Sequence, residues 1–147
     1  MKRIKKIFLM TGLFFAFVVT SVIFTFITAK YKTTKVKIGD TVFSVEVAET
    51  VSQKAKGLSG RKGLGDNQGM FFVFNPFSEP SFWMLGMKFP IDIIWIKGGR
   101  VAGIERNIPA DSLDLYYPPE PIDRALEISA GLSEKLNIRI GDALEVK

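Results

Sequence analysis

Neither cysteine nor histidine occurs anywhere in the 147 residues, and each absence closes off chemistry. Without cysteine there is no disulfide framework, no thiolate nucleophile, no sulfur-ligated metal and no lipid-modified N-terminal Cys. Without histidine there is no serine triad of the usual kind, no imidazole ligand and no side chain that titrates near neutrality in its ordinary state. Any chemistry has to run on carboxylates, Lys, Arg, Tyr, Ser or Thr. At this length one domain plus a targeting or anchoring segment accounts for the whole chain.

Positive charge is in excess, with 20 Lys and Arg against 15 Asp and Glu, but the excess is local. Lys2, Arg3, Lys5 and Lys6 precede Ile7 to Ala29, a run of 23 residues with no charge, no Pro and six of the 13 Phe. A bilayer core takes about 20 apolar residues in a helix, whereas the apolar part of a signal peptide takes about 7–15. The length predicts a transmembrane anchor over 7–29, with a long cleaved signal peptide as the alternative. The basic residues 1–6 read as a cytoplasmic tail, which puts the remainder outside the cytoplasm. Lys30, Lys32, Lys35 and Lys37 oppose that orientation, and the stretch 30–37 reads as a Lys-rich tether near lipid headgroups or in solvent. Over 38–147 there remain 12 basic residues against 15 acidic ones. A net charge of −3 in the domain argues against a phosphate-binding stripe, so no nucleic-acid partner is expected.

Beyond the tether, short β-branched and aromatic runs alternate with turn residues, as strands do. Val36 to Ile38, Gly39-Asp40 and Thr41 to Ala48 predict a hairpin, and Thr50 to Gln53 is a capping-box pattern that predicts a helix at about 51–56, stopped by Gly57. Gly57 to Gly69 reads as a loop. No phosphate-binding motif is present there, since no Gly-Lys-Ser/Thr follows and position 68 is Gln68. Met70 to Phe74 and Phe82 to Met84 read as short strands. Ile91 to Lys97, Gly98-Gly99 and Arg100 to Ile104 form the clearest hairpin, because Gly-Gly supplies the positive φ that a type I′ turn needs. Asn107 to Pro121 is a long loop, Ala125 to Ile128 a strand, Leu132 to Leu136 a short helix capped near Ser129, and Ala143 to Val146 a last strand. The predicted fold class is α+β: a compact, mostly antiparallel β domain, sheet or barrel-like, with two short helices behind one N-terminal transmembrane helix.

In order, the segments Lys56-Gly57-Leu58-Ser59-Gly60-Arg61, Gly69 to Phe74, Phe82-Trp83-Met84, Pro90 to Ile94 and Ala125 to Gly131 resemble the domain of unknown function 192 family. The similarity covers about Val45 to the C-terminus. It implies a compact β-rich domain, often behind an export signal, and no known reaction or ligand. Two positions depart from the family pattern: Ser59 replaces the usual Met after Gly-Leu, and Gly86-Met87 replaces a polar Asn-Thr.

The polar residues best placed for function are few. A two-residue loop at Gly98-Gly99 would set Asp92 opposite Glu105, and like charges opposite one another on a ladder destabilise it. A shared proton, a cation or a nearby Arg such as Arg61 or Arg106 would offset this, unless a bulge shifts the register. Arg61 is suited to an anionic ligand group, or else to neutralising Asp92 or Glu127. Trp83 points away from Phe82 and Met84, and exposed beside Tyr116 or Tyr117 it would make a platform for a sugar or peptide. The leading expectation is a membrane-anchored, extracytoplasmic binding module with a shallow site at Arg61, Trp83 and Asp92 for a small ligand, glycan or peptide. A carboxylate-dependent hydrolase of envelope glycan, using Asp92, Glu105 or Glu127 as acid and base, is the alternative. No cofactor motif and no metal-ligand set is read.

Overall fold

The computed structural model describes residues 31–147. The basic tail at 1–6 and the anchor expected over 7–29 lie outside the described residues. Among the described residues no helix is long and apolar enough to cross a membrane.

Seven strands form one sheet: β1 (Lys32–Ile38), β2 (Thr41–Ala48), β3 (Gln68–Ser78), β4 (Ile91–Lys97), β5 (Arg100–Ile108), β6 (Ile122–Ser129) and β7 (Leu144–Val146). Two short helices, α1 (Val51–Lys56) and α2 (Leu132–Lys135), complete the domain. The spatial order is β5-β4-β6-β3-β2-β1-β7. All neighbours are antiparallel except β2 and β3. That parallel pair needs a crossover, and α1 with the loop after it provides one. The sheet curls until its outer strands meet at one end, where Arg100 bridges Ala143 and the Leu144 N–H donates to the Gly99 carbonyl at 2.8 Å. The result is a mostly antiparallel half-barrel.

Both faces of the sheet are covered, and the sequence shows why. Every residue from Ile91 to Ile96 is buried, as expected of a central strand packed on two sides. Even-numbered positions Ile94, Ile96, Leu126 and Ile128 join Val36, Phe43 and Phe71 inside the curl, and Leu132 and Ile138 close over them. Odd-numbered positions Ile91, Ile93, Trp95 and Ala125 join Phe72, Leu58, Phe82 and Met84 on the outer face. Strand alternation therefore builds two cores from one sheet.

The two predicted hairpins form as read, with Ile38 opposite Thr41 and Lys97 opposite Arg100. Gly98 and Gly99 both take positive φ, 56° and 77°. Other expectations change. The Lys-rich segment is already strand from Lys32 onward, so the tether reading does not hold there: Thr33 and Thr34 pair with Glu46 and Val45. Strand β3 continues past Phe74 to Ser78, through a cis Asn75-Pro76 bond. Phe82 makes an isolated bridge to Tyr116 rather than a strand. Gly131, not Ser129, is the N-cap of α2, and its side-chain acceptor comes from elsewhere in the fold.

Candidate functional site

The opposition of Asp92 and Glu105 is not present. Lys97 and Ile96 keep the tight-turn register, but Trp95 pairs with Gly103, so Ala102 is an extra residue on β5 and Glu105 falls opposite Ile93. A bulge of this kind relocates every side chain beyond it. A second irregularity follows between Ile93 and Ile91, where Asn107 takes a φ of 54° and turns its N–H to Asp92. Asp92 is completely buried and accepts three backbone N–H bonds, from Asn107 at 2.8 Å, Gly131 at 3.1 Å and Ser133 at 2.9 Å. It thereby caps α2 from a different strand, supplying the acceptor that Gly131 lacks. Its role is structural, and the site expected to join it with Arg61 and Trp83 is not assembled.

Arg61 also has a different partner. Its guanidinium grips Glu46 of β2 through both nitrogens, Nη1 to Oε1 at 3.1 Å and Nη2 to Oε2, and lies 5.7 Å from the ring centroid of Tyr31. The hydrogen bond to Glu46 raises the Arg61 pKa further above its ordinary value. Its fork is therefore filled from within the protein, and it acts on its surroundings through charge.

The third carboxyl is unlike the others. Glu127 of β6 sits between Met70 of β3 and Ile93 of β4, with the residue 5 % exposed, and its Oε2 has no hydrogen-bond partner among the described residues. Burial raises its pKa to about 8, against a smaller downward pull from the Arg61 charge. At neutral pH it is a neutral acid with a hydrogen bond to give. Gly69 allows this packing, because a Cβ there would stand 2.6 Å from the Glu127 carbonyl oxygen.

Glu127 forms the floor of an open cleft of about 110 Å³. Helix α1 supplies one wall through Lys54, Ala55 and Lys56, and the turn Gly57 to Ser59 continues it. The capping box sets that helix in place: Thr50 Oγ1 accepts the Gln53 N–H at 3.2 Å and Gln53 Oε1 accepts the Thr50 N–H at 3.0 Å. None of its residues is buried, so the cap rather than packing defines where it begins. Phe72 and Phe74 of β3 form the back, and Pro80 to Trp83 with Leu85 and Met87 form the facing wall. That wall is fastened at Phe82, which exchanges two 2.9 Å backbone bonds with Tyr116 and meets Phe72 and Trp95 edge-on at 4.9 and 5.0 Å. Trp83 alternates outward, 43 % exposed. Lys54 Nζ lies 4.6 Å from the Phe74 ring centroid, and burial lowers its pKa.

Of the residues the sequence singled out, Trp83 and Glu127 come together in this cleft. Asp92 and Glu105 lie elsewhere, and Arg61 contributes through its field. Sequence reasoning missed Lys54, Phe72, Phe74 and Phe82 as cleft residues, because three aromatic residues in a strand-rich chain read as core. One signal did point here. The two departures from the family pattern touch: the Gly60 N–H donates to the Gly86 carbonyl at 2.9 Å, and a Cβ on Gly86 would collide with Ser59 Oγ. Ser59 and Met87 both line the cleft.

The fold and the cleft define a small half-barrel domain with a lone acid beneath an aromatic-walled opening. The chain belongs to the DUF192 family, described as "Uncharacterized ACR", whose model matches residues 34–146. It is similar to a protein of unknown function from Novosphingobium aromaticivorans DSM 12444, at 35% identity and a TM-score of 0.73, over 80% of this chain and 88% of that one. It is also similar to a protein from Sinorhizobium meliloti 1021 described as a putative transcription regulator, at 28% identity and a TM-score of 0.75, over 80% of this chain and 96% of that one. Among curated proteins none matches.

Proposed function

We propose that this chain is a membrane-anchored, extracytoplasmic binding module whose ligand site is the cleft above Glu127. The observation that carries the reading is Oε2 of Glu127, buried at the floor of an open cleft with no hydrogen-bond partner among the described residues. An unsatisfied buried polar group costs about 1–3 kcal/mol, and a ligand that supplies the missing bond recovers it. Largely apolar walls with one convergent polar group are the usual make-up of a small-molecule site. A volume of about 110 Å³ suits a single ring or short alkyl group, since a cavity of about 150 Å³ holds benzene. The ligand therefore inserts one end and leaves the rest outside.

The anchor rests on the 23-residue apolar run at 7–29 and the basic residues before it. Carbonate-resistant membrane association of the full chain is expected, and a mature protein that begins near residue 30 would remove this half of the reading. The hydrolase alternative needs two carboxyls about 5–9.5 Å apart across a cleft. Among the described residues this cleft is lined by one carboxyl, Glu127, which supplies no acid–base pair. A role in transcription, the description given to the Sinorhizobium relative, finds no support in the charge, because residues 38–147 carry no excess of positive charge.

Trp83 gives the test a readout. Small apolar compounds bearing one hydrogen-bonding group should change its fluorescence in the full-length chain, and Glu127→Leu should abolish the response. A panel of amines, alcohols and acids that leaves Trp83 unmoved at millimolar concentration would sink the binding role.

A further inference from the structure

We infer that the group this cleft receives is an alkylammonium, the amine end of a larger ligand, whose N–H bonds end on the Glu127 carboxyl while the cation lies among the rings of Phe72, Phe82 and Trp83. The inference rests on the cleft being a binding site and names the class of ligand it takes.

Three observations converge on it. The floor offers a carboxyl whose Oε2 has no donor among the described residues, held 3.9 Å from the position a Cβ on Gly57 would occupy. It therefore lies just beneath the turn that forms one wall. The back and the facing wall carry Phe72, Phe74, Phe82 and Trp83, and aromatic rings attract cations within about 6 Å of their centroids, most strongly where water is excluded. A neutral hydroxyl would satisfy the carboxyl but gain nothing from the rings; an ammonium gains from both. Finally, Lys54 Nζ packs against Phe74 at 4.6 Å, so a ring of this cleft already accommodates an ammonium, although a second cation there meets a like charge. The volume of about 110 Å³ admits an aminoalkyl end and excludes a bulkier body.

The groups facing Glu127 decide its proton. Its strand neighbours Met70 and Ile93 are apolar. Arg61 approaches from the turn after α1 with Glu46 clamped to it and Tyr31 alongside, Ser59 lines the same turn, and Lys54 and Lys56 stand on α1. Glu127 holds its proton at pH 7, with its pKa raised to about 8, so an incoming ammonium displaces it: the carboxyl O–H breaks, the proton leaves to buffer, and the carboxylate pairs with the ligand cation. A carboxylate ligand, drawn by the lysines, would instead keep that proton in place. The direction of proton exchange thus separates the two ligand classes.

The experiment is calorimetric titration of the full-length chain in non-ionic detergent with n-butylammonium, n-butanol and n-butyrate, in two buffers of different ionisation heat. Butylammonium should bind at least tenfold more tightly than the other two and release about 0.9 of a proton per ligand at pH 7, given a free-state pKa of about 8. Its affinity should rise about tenfold from pH 6 to pH 7 and level off above 8. Glu127→Gln should erase both the preference and the proton release, and Lys54→Met should strengthen ammonium binding several-fold by removing a like charge. Should Glu127→Gln fail to fold, proton release by the unaltered chain decides alone. Butyrate or butanol bound as tightly as the amine, or amine binding without proton release, overturns the inference and leaves the cleft standing as a binding site. Silence from all three probes overturns both.

Discussion

Asp92 and Glu127 are buried carboxyls on paired strands, one residue apart in register: Asp92 lies opposite Ile128, and Glu127 opposite Ile93. Alternation sends them to opposite faces of the sheet. Asp92 meets three backbone N–H groups at the closed side of the barrel. Glu127 meets aromatic rings and an opening. The same chemical group is therefore a fastener on one face and an unmet demand on the other, and the difference comes from what covers each face. A strained bulge and a helix N-terminus turn their donors toward Asp92. Over Glu127 lies the opening of the cleft, and the described residues around it offer no donor to Oε2.

Several variants would break or sharpen this contrast. The largest effect is expected at Asp92. Asp92→Ala strands three N–H donors, that of the buried Ser133 among them, and should cost about 4 kcal/mol of stability in denaturant titration; a loss below about 1 kcal/mol would mean the carboxyl is no fastener.

Glu127 should behave in the opposite sense. Its folded pKa, about 8, stands above the ordinary 4.5, so between those values the unfolded chain has released a proton that the folded chain retains. Stability from this group is complete below pH 4.5 and is lost as pH rises to about 8, by at most about 1.4 kcal/mol per unit. Glu127→Gln should flatten that slope and leave the protein more stable than the parent at pH 8. Equal slopes in the two proteins would show that Glu127 is ionised throughout.

A smaller effect is expected at Arg61, whose charge acts on Glu127. Arg61→Met removes a partly exposed ion pair with Glu46 and should cost about 1 kcal/mol. It also removes the attraction that holds the Glu127 midpoint down, so the carboxyl carbon signal in NMR should titrate at higher pH than in the parent; a midpoint that falls would contradict the assigned field. The smallest stability change, under about 0.5 kcal/mol, is expected for Ser59→Met. That variant restores the side chain usual in the family at a cleft-lining position beside Gly86 and should weaken ligand binding several-fold. Unchanged binding would place the ligand away from that wall.

Local features of the fold were legible because their causes are local. Gly98-Gly99 and Gly39-Asp40 specify turns through φ, and Thr50 with Gln53 specifies a helix start through two hydrogen bonds that span three residues. The run Ile91 to Lys97 specified a strand through its β-branched and aromatic residues and the Gly-Gly turn after it, whereas its burial on both faces comes from the packing. The candidate site was legible only in fragments. Trp83 and Glu127 were both singled out, but their pairing depends on a wall between residues 80 and 87 that is held by a bridge to Tyr116, more than 30 residues away in sequence. Asp92 was singled out for a partnership with Glu105 that one extra residue at Ala102 dissolves, and nothing in the local sequence marks that bulge.

The sequence by itself determined what chemistry is absent, where the positive charge and the long apolar run lie, which family the chain resembles and which short segments become strands and turns. Each follows from composition or from interactions a few residues long. Only the tertiary structure decided which carboxyl is satisfied and which is not, because that depends on donors brought from distant strands and on the space left where none arrives. Arg61 shows the same division: its type and position predicted a carboxylate partner, and the parallel pairing of β2 with β3 helped bring it to Glu46, which the sequence reading had not considered.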